Sequence, residues 1–282
     1  MPFSASRAFS EAFEILKSRF GVLIGTTLIF WVALVAVAAV FSGTLMAGAM
    51  ASAATGAEPD PTQVFAGMGF SIVLFYLLFY AVQFAMSLAM MRLCSDRHPP
   101  SIGDAISAGV RGVPTMFGAV IILAIVGIIV GLVFGLIFGA ISALLNSGAL
   151  TALLALGGAL LGLYIYARLS MLTPVIAIDE ERNPIQAISR SWSMTGQAAF
   201  KILLVLGLAI IVLIVAILIL VGATIGTAAL SGQPPSPGGI IAFIIGMIAF
   251  GVTVGLYFQA LMAAIHRQVS GSDAEQASAA FE

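Results

Sequence analysis

Long apolar stretches separated by short polar segments make up most of this chain of 282 residues. A helix needs about 20 predominantly apolar residues to cross the hydrocarbon core of a bilayer, and each stretch here is about that long. The stretches run on without the alternation of apolar and polar positions that a transmembrane β-barrel shows. The pattern therefore predicts six transmembrane helices, roughly at residues 21–45, 70–91, 117–140, 150–167, 202–223 and 240–265.

The composition supports the same class of protein. Hydrophobic residues make up 61% of the chain and charged residues only 8%, whereas a soluble domain has about 25% charged residues. So few charges cannot cover a water-facing surface, which predicts an all-α polytopic membrane protein. The formal net charge of −1 argues against a nucleic-acid partner.

A short amphipathic segment precedes the first, third and fifth predicted spans. In the second of these segments Ser101 and Asp104 have the spacing of a capping box. In the third, Asn183 suits a helix N-cap and Pro184 suits the first helical position. Each segment is predicted to be an interfacial helix that leads into a hairpin of two transmembrane helices.

These elements predict three tandem units of the same orientation, at about residues 4–92, 101–168 and 183–267, within one integral membrane domain spanning 1–282. Residues 268–282 are predicted to form a polar C-terminal tail. The alternative to a structural repeat is a coincidence of similar membrane packaging.

The positions of the basic residues predict the orientation. All 11 Lys and Arg residues fall at the starts of spans one, three and five or at the ends of spans two, four and six. The loops on the other side carry only the charges of Glu58 and Asp60. Because Lys and Arg are enriched in cytoplasmic loops, we expect a bacterial inner-membrane protein with both termini in the cytoplasm.

Glycines in the third span form a regular stripe. Gly127, Gly131, Gly135 and Gly139 recur every four residues and share one helical face. Small residues allow membrane helices to approach closely. The stripe predicts packing against another helix of the same chain, or alternatively homo-oligomerisation through the third span.

The sequence offers little for catalysis. It has two His and one Cys, without the clustering that a metal site needs and without a nucleophile motif. We therefore expect no enzyme activity, no metal and no cofactor. Within the spans, Gln83 and Gln259 are the notable polar residues; each is expected either to hydrogen-bond a neighbouring helix or to line a polar substrate path.

The segment between spans four and five carries the candidate site. Arg168 lies either at the interface or, if the apolar residues 169–178 continue the span, about 10–15 Å inside it. On a helix beginning at Pro184, the spacing of Ser191 and Thr195 places them on one face. We expect Arg168, Asp179 or Glu180, Ser191 and Thr195 to form one polar cluster. There Arg168 is either paired with a carboxylate or open to an anion such as a lipid phosphate.

The same segment resembles a known family. Its pattern is Arg168-x5-Pro174, an acidic residue at Asp179 or Glu180, Pro184, Ala187, and then Ser191-Trp192-x2-Thr195-Gly196. This is similar to the membrane domain attached to some glycerophosphodiester phosphodiesterases, which also occurs alone in prokaryotic membrane proteins. Gly196 follows Thr195 directly, one place earlier than in that family. The resemblance implies the six-span membrane module without the catalytic domain.

Together these observations predict a non-enzymatic multi-pass membrane protein that binds lipid or serves as an organising or accessory module. The alternative is a transporter or exporter of an amphipathic small molecule or lipid. The expected partners are membrane lipids and either a second copy of the chain or another membrane protein.

Overall fold

The computed structural model describes residues 3–55, 61–95, 100–145, 148–231 and 237–279. Over these ranges the chain forms eight helices and no strand. Six segments are long and apolar enough to cross a membrane, which confirms an all-α polytopic membrane protein. The helices are α1 (Ala5–Thr55), α2 (Pro61–Leu93), α3 (Ile102–Leu145), α4 (Gly148–Leu169), α5 (Leu172–Ala177), α6 (Pro184–Met194), α7 (Ala199–Ser231) and α8 (Pro237–Ala279).

All six predicted spans coincide with apolar helices. The structure decides between the two positions that the sequence left open for the end of span four. The helix α4 stops at Leu169, and the apolar residues that follow form the separate short helix α5, most of whose side chains are buried in protein. Pro174 lies in the first turn of α5, where a missing backbone N–H removes no helical hydrogen bond. The span therefore does not continue past Arg168 as one helix.

The amphipathic segments differ from one another in their connection to the spans. The first two are continuous with their spans, as the first turns of α1 and α3. The third is a separate helix, α6, because a turn at residues 195–198 divides it from α7. The Asn183 side chain accepts hydrogen bonds from the backbone N–H groups of Ile185 and Gln186, as predicted for an N-cap.

The buried core lies where the Lys and Arg residues lie, which we call the basic end. It comprises the start of α1, the end of α2, the start of α3, α5, parts of α6, the start of α7 and the part of α8 between Leu256 and Val269. Polar bonds connect these elements: the Arg19 guanidinium donates to the Ser95 carbonyl (2.9 Å), and the Thr115 hydroxyl donates to the Arg182 carbonyl (2.9 Å). Segments that are distant in sequence and carry Lys and Arg residues are thus joined at one end of the bundle.

Away from the basic end the helices are mostly exposed. The hairpin partners α3 and α4 touch little, as do α7 and α8, whereas α2 packs extensively on α3 and α1 on α8. Residues 56–60, 96–99, 146–147 and 232–236 lie outside the described residues. They include Glu58, Asp60 and Arg97 of the orientation argument. The three-unit repeat stays a prediction.

The prediction that the glycine stripe packs within the chain is wrong. A Cβ atom added at Gly127, Gly131, Gly135 or Gly139 would meet no heavy atom of another described part of the chain within 4 Å. The close approach occurs earlier on α3, where a Cβ at Gly109 would lie 2.5 Å from the Ala85 carbonyl oxygen of α2. The stripe lies on the exposed half of α3, which the core of the basic end does not reach. A homo-oligomer formed through it stays a prediction.

The predicted polar tail begins as part of α8. That helix continues to Ala279. At the start of the predicted tail, the Gln268 side-chain oxygen accepts a hydrogen bond from the Ser4 backbone N–H (3.1 Å), and Val269 is buried in the core. The hydrogen bond from Ser4 to Gln268 therefore joins the residue before α1 to α8.

Candidate functional site

The end of α4 is held by two hydroxyl groups of the amphipathic helix α6 and its C-cap. The Ser191 hydroxyl donates to the Arg168 carbonyl oxygen at 3.0 Å, and the Thr195 hydroxyl contacts the same oxygen at 2.9 Å. The last carbonyls of a helix lack intrahelical partners, so these hydroxyls satisfy a group that would otherwise be unpaired in the core. Ser191 and Thr195 are completely buried. Both hydroxyl groups therefore contact the backbone of Arg168 and not its guanidinium group.

The guanidinium group of Arg168 lies against aromatic rings. Its Cζ atom is 4.6 Å from the centroid of the Trp192 ring and 5.8 Å from that of Tyr164, within the range of a cation–π contact. The two rings meet edge to face at 6.4 Å. Gly196 closes another side, since a Cβ there would lie 3.0 Å from Arg168 Nη1. A side chain at this position would push the guanidinium away by a few tenths of an ångström.

Arg168 has no acidic partner among the residues that the structure describes. Its Nε atom is buried and has no hydrogen-bond partner there. A buried donor left unsatisfied costs about 1–3 kcal/mol, more when it is charged. The site thus contains a cation with unused donor capacity, next to aromatic rings that are themselves partly exposed.

The carboxylates predicted for this cluster lie elsewhere, so the expected single cluster of four groups is not formed. Asp179 is buried with its Oδ2 atom 3.1 Å from Arg190 Nε and 3.3 Å from His266 Nε2. Glu180 pairs with Arg92 of α2. The physical reason is α5: this short helix separates Arg168 from the carboxylates and carries the chain across to α2 and α8. Glu180 then turns the backbone at a φ of 58°.

The buried pair of Asp179 with His266 was not expected from the sequence, where His266 is an isolated residue near the end of a span. No local sequence pattern predicts a contact between two residues that are 87 positions apart. The position of Tyr164 could have been found. Tyr164 and Arg168 are four residues apart on one helix and therefore share a face, and Trp192 follows Ser191 directly in the segment already singled out.

The two intramembrane amides differ in their surroundings. Gln259 donates from its Nε2 atom to the Ser87 hydroxyl at 3.2 Å, which joins α8 to α2. The Oε1 atom of Gln83 is buried without a partner among the described atoms. A polar substrate path through both residues stays a prediction.

Cys94 adds no reactive group to this end of the molecule. It is a free and fully buried thiol. Burial raises its pKa to about 12, although the neighbouring Arg19 and Arg267 oppose the shift. The thiol therefore stays protonated at neutral pH, and a protonated thiol is a poor nucleophile.

Part of the sequence pattern assembles around Arg168, and the rest is distributed over α5, α6 and the loop between them. Around Arg168 lie Ser191, Trp192, Thr195 and Gly196, while Pro184 begins α6 and packs beside Gly118 of α3. The fold and this site define a polytopic helical membrane protein with an aromatic-flanked arginine at its basic end. No family model matches the chain, and neither a curated protein nor a solved structure matches it. The family resemblance stays a prediction.

Proposed function

We propose that this chain is a non-enzymatic multi-pass protein of the bacterial inner membrane that binds anionic lipid at Arg168. The observation that carries the proposal is the guanidinium of Arg168, which faces Trp192 and Tyr164 and has no carboxylate partner among the described residues. Its role as a membrane module follows the family resemblance and is part of the same proposal.

The chemistry of the site favours a phosphate group as the ligand. A guanidinium presents planar donors that match phosphate oxygens, and it stacks on aromatic faces while doing so. The nearby acids Asp179 and Glu180 are occupied by other basic groups. A phospholipid is the natural source of phosphate at the end of a transmembrane helix, where tryptophan and tyrosine are also common.

Native mass spectrometry of the protein purified in mild detergent tests the proposal. We expect wild-type protein to retain added dioleoyl phosphatidylglycerol in preference to dioleoyl phosphatidylcholine. Arg168→Ala should weaken binding at this one site by roughly tenfold, the scale of a charge-assisted hydrogen bond, so that the variant retains one phosphatidylglycerol fewer than wild type. Arg111→Ala is the matched control, because Arg111 is exposed on α3 and has no ion pair to a described residue.

Equal retention by the Arg168→Ala and Arg111→Ala variants would reject the headgroup site. Arg168→Lys sharpens the result, since lysine keeps the charge but loses the planar donors and the stacking on Trp192. We expect it to retain an intermediate amount of phosphatidylglycerol. Full retention by the lysine variant would show that charge alone recruits the lipid.

The orientation belongs to the same proposal and has its own test. With the basic end in the cytoplasm, both termini are cytoplasmic. A reporter enzyme that is active only in the periplasm should be silent when fused after Glu282 and active when inserted near Pro61. The reverse pattern of activity would overturn the proposed orientation.

A further inference from the structure

A large groove separates α7 from α8. One wall is formed by α7 between Leu208 and Ile217, and the other by α8 between Met247 and Gln259. The cavity has a volume of about 960 Å³ and is open on one side, at the upper end of the range of roughly 300–1,000 Å³ for small-molecule sites. Both walls belong to candidate membrane spans. The groove therefore lies at the depth of the hydrocarbon of a bilayer.

The polarity of the groove is graded along its length. The walls are almost entirely aliphatic and aromatic, with Gly251 and Gly255 giving α8 a smooth surface. The polar groups of the lining come from Gln259, Tyr257 and Tyr166, at the part of α8 and α4 nearest the basic end. An apolar slot with polar groups at one end matches an amphipathic molecule that lies parallel to the helices.

The membrane itself limits what can fill such a slot. Water in the hydrocarbon region finds no partners along apolar walls, and an empty slot would deprive its lining of dispersion contacts. Acyl chains surround these spans on every exposed side. One lipid chain lying between α7 and α8 restores the contacts that the two helices do not make with each other.

Charge at the mouth of the groove selects the kind of headgroup. Lys201 lies seven residues before Leu208 on α7, hence on the same helical stripe and about 10 Å nearer the basic end. Lys201 is exposed and has no ion pair to a described residue. A lysine in this position attracts an anionic headgroup whose chain extends into the groove.

We propose that the groove between α7 and α8 is a binding site for one acyl chain of an anionic phospholipid, with the headgroup beside Lys201. This site is separate from the one at Arg168: Tyr166 lines the groove, whereas Tyr164 and Arg168 lie on another face of α4. The inference rests on the proposed function as lipid binding, and it adds a second position at which a lipid is held by its chain.

Glycine substitutions can fill the groove without disturbing the fold. A Cβ added at Gly251 or Gly255 would meet no heavy atom within 4 Å, although both residues line the groove. Gly251→Leu and Gly255→Leu therefore place a side chain where we expect the acyl chain. Gly246→Leu is the matched control on the same helix, because Gly246 is equally open and does not line the groove.

The experiment measures dioleoyl phosphatidylglycerol bound per protein by native mass spectrometry, with every variant made in the Arg168→Ala background. Removing Arg168 first makes the result independent of the headgroup site, so failure at Arg168 and failure at the groove remain distinguishable. We expect the background protein and its Gly246→Leu derivative to retain one lipid. Gly251→Leu and Gly255→Leu should each lower this retention by roughly tenfold, the scale of an overpacked contact.

Lys201→Ala completes the test without altering the walls of the groove. It should lower retention of dioleoyl phosphatidylglycerol by about fivefold and leave dioleoyl phosphatidylcholine unchanged. Thermal unfolding of all variants in the same detergent verifies the fold. Unchanged retention in the two groove variants would overturn the proposal, as would equal losses in Gly246→Leu and Gly255→Leu. An equal loss of both lipids in Lys201→Ala would overturn the headgroup assignment.

Discussion

The basic end and the opposite half of this protein are built from the same long helices, yet they differ in what surrounds their apolar side chains. The two most apolar windows, in Ile102–Ser142 and Ala199–Ile219, have mean hydropathies of 3.3 and 3.6, and only 0% and 17% of their residues are buried. By contrast, the less apolar starts and ends of the helices at the basic end form the buried core. Hydropathy does not predict burial against protein here, since the window in Ala5–Thr44, with a mean hydropathy of 2.5, is 22% buried, whereas that in Thr151–Ala177, with 1.7, is only 6% buried.

The difference follows from the solvent. Lipid tails are as apolar as leucine, so apolar side chains gain little by leaving lipid for another helix. Association depends on close backbone approach and on polar bonds, and both occur at the basic end. Gly109 and Gly112 of α3 contact α2 closely, and side chains such as Arg19 and Thr115 bond carbonyl groups of other elements. The opposite half has few such features and is largely exposed.

The largest loss of stability is expected from a substitution that separates α2 from α3 at the basic end. Gly109→Leu would place a side chain where even a Cβ lies 2.5 Å from the Ala85 carbonyl oxygen and 3.0 Å from the Ala89 backbone nitrogen. Backbone atoms cannot move aside as side chains do. We expect a loss of stability larger than the roughly 1–3 kcal/mol usual for overpacking, measured as thermal unfolding in detergent and as a loss of monodisperse protein.

Gly131→Leu is the control for that variant, since it makes the same change on the same helix. A Cβ at Gly131 meets no heavy atom within 4 Å, so we expect the unfolding temperature of wild type. A lower mass in native mass spectrometry would show that the glycine stripe joins copies of the chain. Wild-type stability of the Gly109→Leu variant would contradict the packing of α2 on α3.

The sequence was a good guide to the spans and a poor one to their contacts. A membrane span needs only an apolar stretch long enough to cross the bilayer, which can be read from the sequence without knowing any helix contact. Hydropathy therefore predicted all six spans. Which glycine is buried depends on where two helices cross, and the regular spacing from Gly127 to Gly139 does not reveal that position, which lies at Gly109. Its regular spacing says only that one helical face is smooth, and such a face suits lipid as well as protein.

The candidate site was predicted in part for a related reason. Ser191 and Thr195 share a face with the spacing of a helix turn, as predicted, and both contact the Arg168 carbonyl oxygen. The partners of Asp179 and Glu180 depend on α5, whose end sets the direction of the loop. A break after Leu169 could not be read from residues 169–178, because their apolar character fits a membrane span and a buried short helix equally well.

A smaller effect distinguishes buried from exposed charges within the basic end. The Asp179 side chain is 2% exposed and contacts Arg190 and the equally buried His266, whereas the Glu180 side chain is 54% exposed beside Arg92. Removing one partner of a buried pair leaves the other unpaired in a medium of low polarity, which costs about 3–5 kcal/mol. An exposed pair is worth about 0–1 kcal/mol because water replaces the lost partner.

We therefore expect Asp179→Ala to lower the free energy of unfolding by about 3 kcal/mol, at the low end because Arg190 is 50% exposed and can be hydrated. Glu180→Ala should lower it by less than about 1 kcal/mol. The measurement is thermal or chemical unfolding in the same detergent, with Asp179→Asn as the variant that keeps the shape. Asparagine still accepts a hydrogen bond but carries no charge, so its stability should fall between wild type and Asp179→Ala. Equal stabilities of the Asp179→Ala and Glu180→Ala variants would show that water reaches Asp179.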